Sequence, residues 1–306
     1  MLKTLISIVG PTAIGKTKLA IAIAKHFKTD IISSDSRQFY KEMKIGTAVP
    51  SEEELSIVPH HFIQHKSIFD KYSVGDFERD ALVKLEALFE NHDIVVMVGG
   101  SGLYIDAVTL GLDDFPEVDP KFRKELNLQL AESGITSLQK QLEALDPEYY
   151  IKVDHMNPHR LIRALEICLA TGKPYSSFLN RPKQERPFKT ITVQMTADRP
   201  LIYERINNRV DGMIRDGLLE EARELYAHRS LNALQTVGYT ELFHYFDGSC
   251  DLEFAISEIK KNTRRFAKRQ LTWFKKNDNA LKVDLNDNIL QVITETQKRI
   301  QKCKND

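Results

Sequence analysis

A phosphate-binding motif near the N-terminus restricts the fold of this chain more than any other feature. Residues 10–17 read GPTAIGKT, which fits the pattern G-x-x-x-x-G-K-T. The apolar run at 5–9 predicts a buried strand before the motif, and Lys16–Phe27 predicts a helix after it. In this context the loop amides and the helix N-terminus face a bound anion. We expect Lys16 to reach phosphate oxygens and the Thr17 hydroxyl to hold Mg²⁺.

The order of predicted elements indicates an α/β fold, in which a parallel sheet is flanked by helices. Strands are predicted at 5–9, 30–33, 94–98 and 190–195. Between 113 and 189 good strand runs are absent, and helices are predicted at 120–132, at 136–145 and from Pro158 to Gly172, with Asn157 as the N-cap. After Arg199 the pattern is mostly helical. We therefore predict a core of residues 1–112 and 190–306, with a helical insertion at 113–189.

Two further motifs follow predicted strands of this sheet, at the edge where open parallel sheets bind ligands. Asp35, Ser36, Arg37 and Gln38 come after the second strand, and GGSGLY at 99–104 comes after the third. Asp35 has three open roles: a ligand of Mg²⁺, a general base, or the cap of the next helix. Ser101 offers a hydroxyl group in a loop whose glycines let a ligand approach the backbone.

Basic residues are concentrated near the C-terminus. Residues 260–276 contain eight lysines or arginines and no acid. On a helix, one face collects Lys261, Arg264, Arg265 and Lys268, and the other side collects Ile256, Ile259, Phe266, Leu271 and Phe274. A solvated helix face and a nucleic-acid surface explain this pattern equally well. Arg205 and Arg209, one turn apart, are either a surface pair or cations for a leaving phosphate.

Composition narrows the class of protein. The 306 residues include 43 basic and 43 acidic side chains, and this balance argues weakly against a protein coated in nucleic acid. Neither a membrane span nor a signal peptide is expected. Cys168, Cys250 and Cys303 are too widely spaced for a disulfide framework or a zinc site, so we expect inert thiols in the cytoplasm. His60 and His61 are adjacent and predicted to be structural or surface residues.

Eight motifs, in order along nearly the whole chain, together resemble the tRNA dimethylallyltransferase family of bacterial type. The motifs are GPTAIGKT at 10–17, DSRQFYKEMKIGTAVP at 35–50, PHHFI at 59–63, VGGSGLY at 98–104, NPHRLIRALE at 157–166, RVDGMIRDGLLEEARELY at 209–226, VGYTEL at 237–242 and TRRFAKRQLTWFKK at 263–276. Three positions differ from the usual pattern. Ser101 replaces a threonine, His159 replaces a glutamine, and Gln64 replaces an aspartate.

The resemblance implies a P-loop NTPase-like core, a helical insertion that contacts tRNA, and a specific reaction. Family members transfer a dimethylallyl group from dimethylallyl diphosphate to N6 of the adenine 3′ of the anticodon, in tRNAs that read codons beginning with U, and release diphosphate. The catalytic residues implied here are Asp35 as the base, Thr17 with Mg²⁺, Ser101, and Arg209 as a diphosphate contact. The diphosphate site implied is the loop formed by Gly10, Pro11, Thr12, Ala13, Ile14, Gly15, Lys16 and Thr17.

The resemblance also implies a set of tRNA contacts, and a monomer is our default expectation for the oligomeric state. The contacts are Asp35, Ser36, Arg37, Gln38, Ser101, Arg123, His159, Arg160, Leu161, Ile162, Arg163, Lys268, Arg269 and Gln270. Two alternatives use the same phosphate loop. One is a small-molecule or nucleotide kinase, which would cleave ATP without an RNA acceptor, and the other is a tRNA-binding protein that has lost catalysis.

Overall fold

The computed structural model describes residues 2–179 and 185–305, with side chains to 303 in the last helix. The chain forms two compact units, one of Met1–Leu110 with Arg186–Asp306 and one of Gly111–Glu185. The insertion predicted at 113–189 includes residues 180–184, which lie outside the described ranges. Within those ranges, every helix is too short or too polar to cross a bilayer.

A six-stranded parallel sheet forms the centre of the first unit, in the order β3-β2-β4-β1-β5-β6. Its strands are β1 (Thr4–Val9), β2 (Ile31–Ser33), β3 (His60–His61), β4 (Ile94–Gly99), β5 (Lys189–Thr196) and β6 (Leu281–Asp284). Thr4 pairs with Ile94 on one side of β1 and with Lys189 on the other. The predicted α/β fold is therefore confirmed, and the carboxyl ends of β1, β2 and β4 share one edge.

The helices in chain order are α1 (Lys16–Phe27), α2 (Glu52–Ile57), α3 (Val74–Asn91), α4 (Gly102–Leu110), α5 (Pro120–Ser133), α6 (Ile135–Leu145), α7 (Pro147–Lys152), α8 (Pro158–Thr171), α9 (Arg199–Arg215), α10 (Leu218–Leu225), α11 (Tyr239–Phe246), α12 (Leu252–Phe274) and α13 (Ile289–Asn305). Short 3₁₀ turns occur at Tyr175–Phe178, Tyr226–His228 and Asn232–Leu234. Helix α1 has the predicted bounds.

Both faces of the sheet are buried, which explains the continuous apolar runs of its inner strands. Because side chains alternate along a strand, Leu5 and Val9 pack in one cluster with α3 and α11, whereas Ile6 and Ile8 pack in the other with α1 and α13. Each of these four β1 residues is at most 1% exposed. The two layers hold β1 at the middle of the sheet and so fix the start of the phosphate loop.

Sequence reasoning missed two edge strands. β3 contains only two histidines, and β6 is the short sequence LKVD, in which only Val283 is buried. The chain described after Arg199 is mostly helical, as expected, and β6 is the exception that the sequence pattern did not indicate. Both strands are defined by pairing with a neighbour, Ile31 with His60 and Val193 with Leu281, and not by an apolar pattern of their own.

The second unit is a small helical bundle of α5 to α8. Its core is formed by Leu126, Leu138, Leu142, Leu161 and neighbouring residues. The Asn157 side chain accepts a hydrogen bond from the Arg160 amide, as expected for an N-cap. The predicted break at Asp146-Pro147 is confirmed, because α6 ends at Leu145 and α7 begins at Pro147. The buried Asp146 carboxylate caps α7 by accepting from the Tyr149 amide at 3.0 Å.

Candidate active site

A cavity of about 120 Å³ opens at the carboxyl edge of the sheet in the first unit. The loops after β1, β2 and β4 contribute to its wall, together with side chains from α9 and α12. The lining residues include Thr12, Lys16, Thr17, Asp35, Gln38, His60, Gly99, Arg209, Phe266 and Gln270. The parallel sheet therefore brings all three sequence motifs to one concave site.

The phosphate loop has a conformation suited to an anion. Gly15 is the N-cap of α1 and has a φ of 97°, a left-handed conformation that suits glycine. Because glycine has no side chain that could accept from the first amides of α1, these amides can point at a ligand. The Lys16 ammonium donates to the Pro11 carbonyl oxygen at 2.8 Å. The Arg205 Nε atom donates to the Ala13 carbonyl oxygen at 2.8 Å. The free amides and the helix dipole give the loop a positive end that faces the cavity.

Lys16, Asp35 and Arg209 form the charged part of the cavity wall. Burial lowers the pKa of Lys16 to about 8, while Asp35 acts to raise it and Arg209 to lower it further. Burial also lowers the pKa of the Arg209 guanidinium, against the opposing effect of Asp35. Two cations and one carboxylate share a poorly hydrated space, which strengthens each charge interaction. A polyanionic ligand would relieve the repulsion between Lys16 and Arg209.

Asp35 and Ser101 come from neighbouring loops, and Ser36 joins the two loops. The Asp35 Oδ1 atom accepts from the Arg37 amide at 3.1 Å, a turn contact that leaves its other oxygen available. The Ser36 amide donates to the Ser101 Oγ atom at 3.1 Å, and the two hydroxyl groups are also 3.1 Å apart. The predicted grouping of these residues at one edge is thus present in the structure.

Gln38 and Arg37 are fixed by backbone carbonyls. Gln38 Nε2 donates to the carbonyl oxygens of Thr47 at 3.2 Å and Ala48 at 2.9 Å. The Arg37 guanidinium donates to the carbonyl oxygens of Asn232 at 3.1 Å and Ala233 at 3.0 Å. The Gln38 side chain lines the cavity, whereas part of the Arg37 guanidinium is already used within the protein.

Sequence reasoning missed Glu221, which supports this wall from α10. Its carboxylate accepts hydrogen bonds from the backbone amides of Lys44 at 2.9 Å, Ile45 at 2.7 Å and Gly46 at 2.9 Å, and from the Tyr239 hydroxyl at 2.6 Å. These amides precede Thr47 and Ala48, the carbonyl partners of Gln38. The only sequence signal was the position of Glu221 within the motif at 209–226.

The two adjacent histidines have different surroundings. His61 Nε2 lies 2.8 Å from Asp30 Oδ2, which fits the expected structural role. His60 lines the cavity, and its Nδ1 atom lies 2.9 Å from the Val58 carbonyl oxygen. Burial lowers the pKa of His60, which favours the neutral ring. Sequence reasoning missed the contribution of His60 to the cavity because β3 itself was missed.

The basic helix α12 presents charged and uncharged side chains to different surroundings. Lys268 and Arg269 are exposed, as a nucleic-acid surface requires. Phe266 was expected on the apolar side, but it is 39% exposed and lines the cavity. Gln270 was expected at the tRNA surface, and that placement is wrong because the side chain is buried between two loops of the site.

In the helical unit, a buried carboxylate holds two of the arginines implied as tRNA contacts. Glu166 accepts two hydrogen bonds from Arg123, both 2.7 Å, and one from Arg163 at 2.6 Å. His159 and Arg160 are exposed at the start of α8. Leu161 and Ile162 are 0% and 5% exposed in the bundle core, so the expectation that their side chains contact RNA is wrong.

A comparison with protein families identifies the chain. The model of a family described as IPP transferase matches residues 38–277. This chain belongs to the IPP transferase family. The match includes Gln38, Ser101, Arg209 and all of α12, and it confirms the resemblance drawn from the motifs.

Close relatives of this IPP transferase family member carry consistent names. A protein of Christiangramia forsetii named tRNA dimethylallyltransferase is 64% identical, over 97% of this chain and 98% of its own length. A protein of Flavobacterium johnsoniae with the same name is 60% identical, over 91% and 92%. Membership of this family shows that the chain is an enzyme that transfers a prenyl group.

Solved structures of family members share this fold. A full-length tRNA isopentenylpyrophosphate transferase of Bacillus halodurans has a TM-score of 0.72 and 37% identity, over 98% of this chain and 96% of its own. A eukaryotic dimethylallyltransferase, in structures described as snapshots of it acting on tRNA, has a TM-score of 0.80 and 27% identity, over 99% and 79%. This chain therefore shares its overall fold with solved structures of the family.

Proposed function

We propose that this enzyme transfers the dimethylallyl group of dimethylallyl diphosphate to N6 of the adenine 3′ of the anticodon, in tRNAs that read codons beginning with U. The observation that carries the proposal is the position of Asp35, a carboxylate, at a cavity that also contains Lys16, Arg209 and the phosphate loop. Such a cavity has cations for a leaving group and a base for a nucleophile. The names of the relatives support the choice of substrates.

The phosphate loop, Lys16 and Arg209 bind the diphosphate leaving group in this proposal. The bond between the allylic C1 and the diphosphate oxygen breaks, and the bonding electrons leave with diphosphate. An allylic carbon tolerates positive charge, so most of the barrier lies in the negative charge that develops on the leaving oxygen. Cations preorganised in a buried site stabilise that charge. Lys16 is protonated below pH of about 8, which gives it the required charge near neutrality.

Asp35 acts as the general base, and Ser101 orients the nucleophile. The adenine N6 atom forms a bond with C1 of the allyl group, and a proton of N6 passes to the Asp35 carboxylate. An exocyclic amine conjugated with its ring is a weak nucleophile, and removal of its proton compensates for this. The Ser101 hydroxyl group contacts Ser36, the residue that follows Asp35, which supports a role near the reacting centre.

The donor atoms of the cavity suit Mg²⁺. Among the described residues, groups of three or more histidine, cysteine or acidic side chains that could form a metal cage are absent. Mg²⁺ instead is held in proteins by one or two oxygen ligands, with phosphate oxygens and water completing its shell. Thr17 supplies a hydroxyl oxygen at the cavity, while Asp35 stays available as the base. When bound with diphosphate, Mg²⁺ would neutralise charge on the leaving group.

The tRNA contacts in this proposal come from both units. In the first they are Asp35, Ser36, Arg37, Gln38, Ser101, Lys268 and Arg269, and in the helical unit, the proposed tRNA-contacting domain, Arg123, His159, Arg160 and Arg163. Support comes from the exposure of Lys268, Arg269, His159 and Arg160. The target adenine must leave the anticodon-loop stack to reach a cavity. We also propose that the enzyme is a monomer and that it works in the cytoplasm, where tRNA is modified.

A label-transfer assay tests the proposed reaction. Purified protein is incubated with Mg²⁺, labelled dimethylallyl diphosphate and unmodified tRNA, and label retained in tRNA is counted. A parallel tube contains labelled ATP and no prenyl donor. We expect label in tRNA from the first tube and intact ATP in the second. ATP cleavage without prenyl transfer would refute the proposal and favour the kinase.

The role of Asp35 has its own test. Asp35→Asn keeps the size of the side chain and its acceptor for the Arg37 amide, but it removes the base. We expect turnover to fall by about 10²-fold or more, while the Kd for tRNA changes little. Turnover close to that of the wild type would contradict the general-base role.

A further inference from the structure

We propose that Gln270 is a positioning residue for the diphosphate site, which it forms by joining the phosphate loop to the glycine loop at 99–102. This inference rests on the proposed function, because it assigns Gln270 to one of the two substrates of that reaction. It replaces the expectation that Gln270 contacts tRNA. The observation behind it is a pair of hydrogen bonds that connect three distant parts of the chain.

The Gln270 side-chain amide is bound at both ends. Its Oε1 atom accepts from the Thr12 backbone amide at 2.9 Å, and its Nε2 atom donates to the Gly100 carbonyl oxygen at 2.9 Å. The side chain is 6% exposed. One partner is a donor and the other an acceptor, so the position requires a side chain that accepts at one atom and donates at the other. A glutamate cannot donate to Gly100, and a methionine does neither effectively.

The fit of Gln270 also explains Gly100. A Cβ atom at position 100 would overlap the Gln270 amide nitrogen and lie 3.6 Å from the Lys16 Nζ atom. The backbone at Gly100 therefore lies beside both the bridge and the lysine. A separate hydrogen bond, from Trp273 Nε1 to Asp106 Oδ2 at 2.9 Å, connects α12 to α4, the helix that follows the glycine loop.

The bridge acts on the residues that hold the anion. Thr12 lies next to Pro11, whose carbonyl oxygen accepts from the Lys16 ammonium. With Thr12 fixed to Gln270 and Gly100 fixed on the other side, the backbone on both sides of Lys16 is held in place. A loop that is ordered before binding loses less conformational entropy when it binds. Loss of the bridge should therefore weaken diphosphate binding without touching the tRNA surface.

The neighbours of Gln270 offer a matched control. Lys268 is exposed on the same helix, two residues away, and it has no part in the bridge. Gln270→Met removes both hydrogen bonds at similar volume and adds no charge, whereas Gln270→Glu is nearly isosteric but removes the donor and adds a negative charge beside the anion site. Lys268→Met removes one exposed charge. If Gln270→Glu does not fold, Gln270→Met carries the test, because a thioether buries without a polar atom to satisfy.

The experiment compares both substrates in the full-length enzyme. The Kd of inorganic diphosphate with Mg²⁺ is measured by calorimetry, and KM is measured for dimethylallyl diphosphate and for tRNA separately. For the Gln270 variants we expect the diphosphate Kd and the KM of the prenyl donor to rise about threefold to tenfold, as loss of one or two hydrogen bonds implies. The KM of tRNA should stay within about twofold, and Lys268→Met should show the opposite pattern.

Two results would overturn the inference. One is a higher KM for tRNA in the Gln270 variants with an unchanged diphosphate Kd, which would make Gln270 an RNA contact. The other is a lower melting temperature with both KM values unchanged, which would make the bridge merely structural. Failure of the wild-type enzyme to transfer the prenyl group would refute the proposed function instead, and the diphosphate Kd would still report on the bridge.

Discussion

Replacement of Glu221 should show how much of the stability of the fold depends on one carboxylate behind the site wall. Its carboxylate accepts three consecutive backbone amides and the Tyr239 hydroxyl, all between 2.6 and 2.9 Å. Glu221→Gln keeps one acceptor oxygen and turns an NH₂ group towards donors. Two of the four donors then lose their acceptor, at about 1–3 kcal/mol each. We expect a loss of about 2–6 kcal/mol in the free energy of unfolding, a large part of a typical total of about 5–15 kcal/mol.

Urea unfolding followed by circular dichroism measures this loss. Glu220→Gln on the same helix is the matched control, because Glu220 is exposed and its replacement removes the same charge. We expect Glu220→Gln to change stability by no more than about 0.5 kcal/mol. Tyr239→Phe, which removes one of the four donors, should fall between the two variants. Equal stabilities for Glu221→Gln and Glu220→Gln would refute the reasoning, since the amides would then not depend on the carboxylate.

Three further changes test other parts of the molecule. Because burial lowers the pKa of Lys16 to about 8, diphosphate affinity measured by calorimetry should be highest below that pH and should fall above it as the ammonium loses its proton. Lys16→Arg should abolish this fall, because a guanidinium keeps its charge. If the affinity of Lys16→Arg fell with pH as in the wild type, Lys16 would be excluded as the cause. Burial acts to raise the pKa of Glu166, but hydrogen bonds from Arg123 and Arg163 outweigh it and lower the pKa, so acidification through the lowered pKa should remove stability from the wild type. Glu166→Gln should cost about 1–3 kcal/mol at neutral pH, because the arginines that it leaves unpaired are partly exposed, and it should make unfolding in urea less sensitive to acid. Equal acid sensitivity would contradict this. Leu161→Ala should lower the free energy of unfolding by about 2–5 kcal/mol in the same urea assay. Its affinity for tRNA should change little when it is measured at low temperature, where the variant stays folded. A loss of tRNA affinity in the folded variant would show that Leu161 is an RNA contact.

The sequence was most informative where a local pattern agrees with the tertiary structure. β1, the phosphate loop and α1 combine an apolar run, positional glycines and a helix start, so their bounds followed closely from the residues. β3 and β6 could not be predicted because their pairing with neighbours, and not their composition, makes them strands. Periodicity alone also assigned Phe266 to the buried side of α12, although the helix leaves that ring at the cavity.

The site was predictable as a set of loops and less so as a set of contacts. Lys16, Asp35 and Ser101 lie at one edge of the sheet because each follows the carboxyl end of a parallel strand, and these strands are neighbours in the sheet. The role of Glu221 depends on hydrogen bonds to backbone groups 175–177 residues away in sequence. That of Gln270 depends on two backbone groups, one 170 and the other 258 residues away. No local pattern encodes such partners, because a backbone amide carries no residue identity.

The hydrogen bond between Lys16 and the Pro11 carbonyl bears on how fast the enzyme can begin a new cycle. A departing diphosphate would leave a buried ammonium without an acceptor, which would hold the product in place. The Pro11 carbonyl oxygen already accepts from this ammonium, so in the proposed reaction the lysine would exchange one oxygen partner for another as the product leaves. The next diphosphate would have to compete with the same carbonyl for the lysine. A loop of this kind would bind its product less tightly than one in which the lysine had no partner of its own.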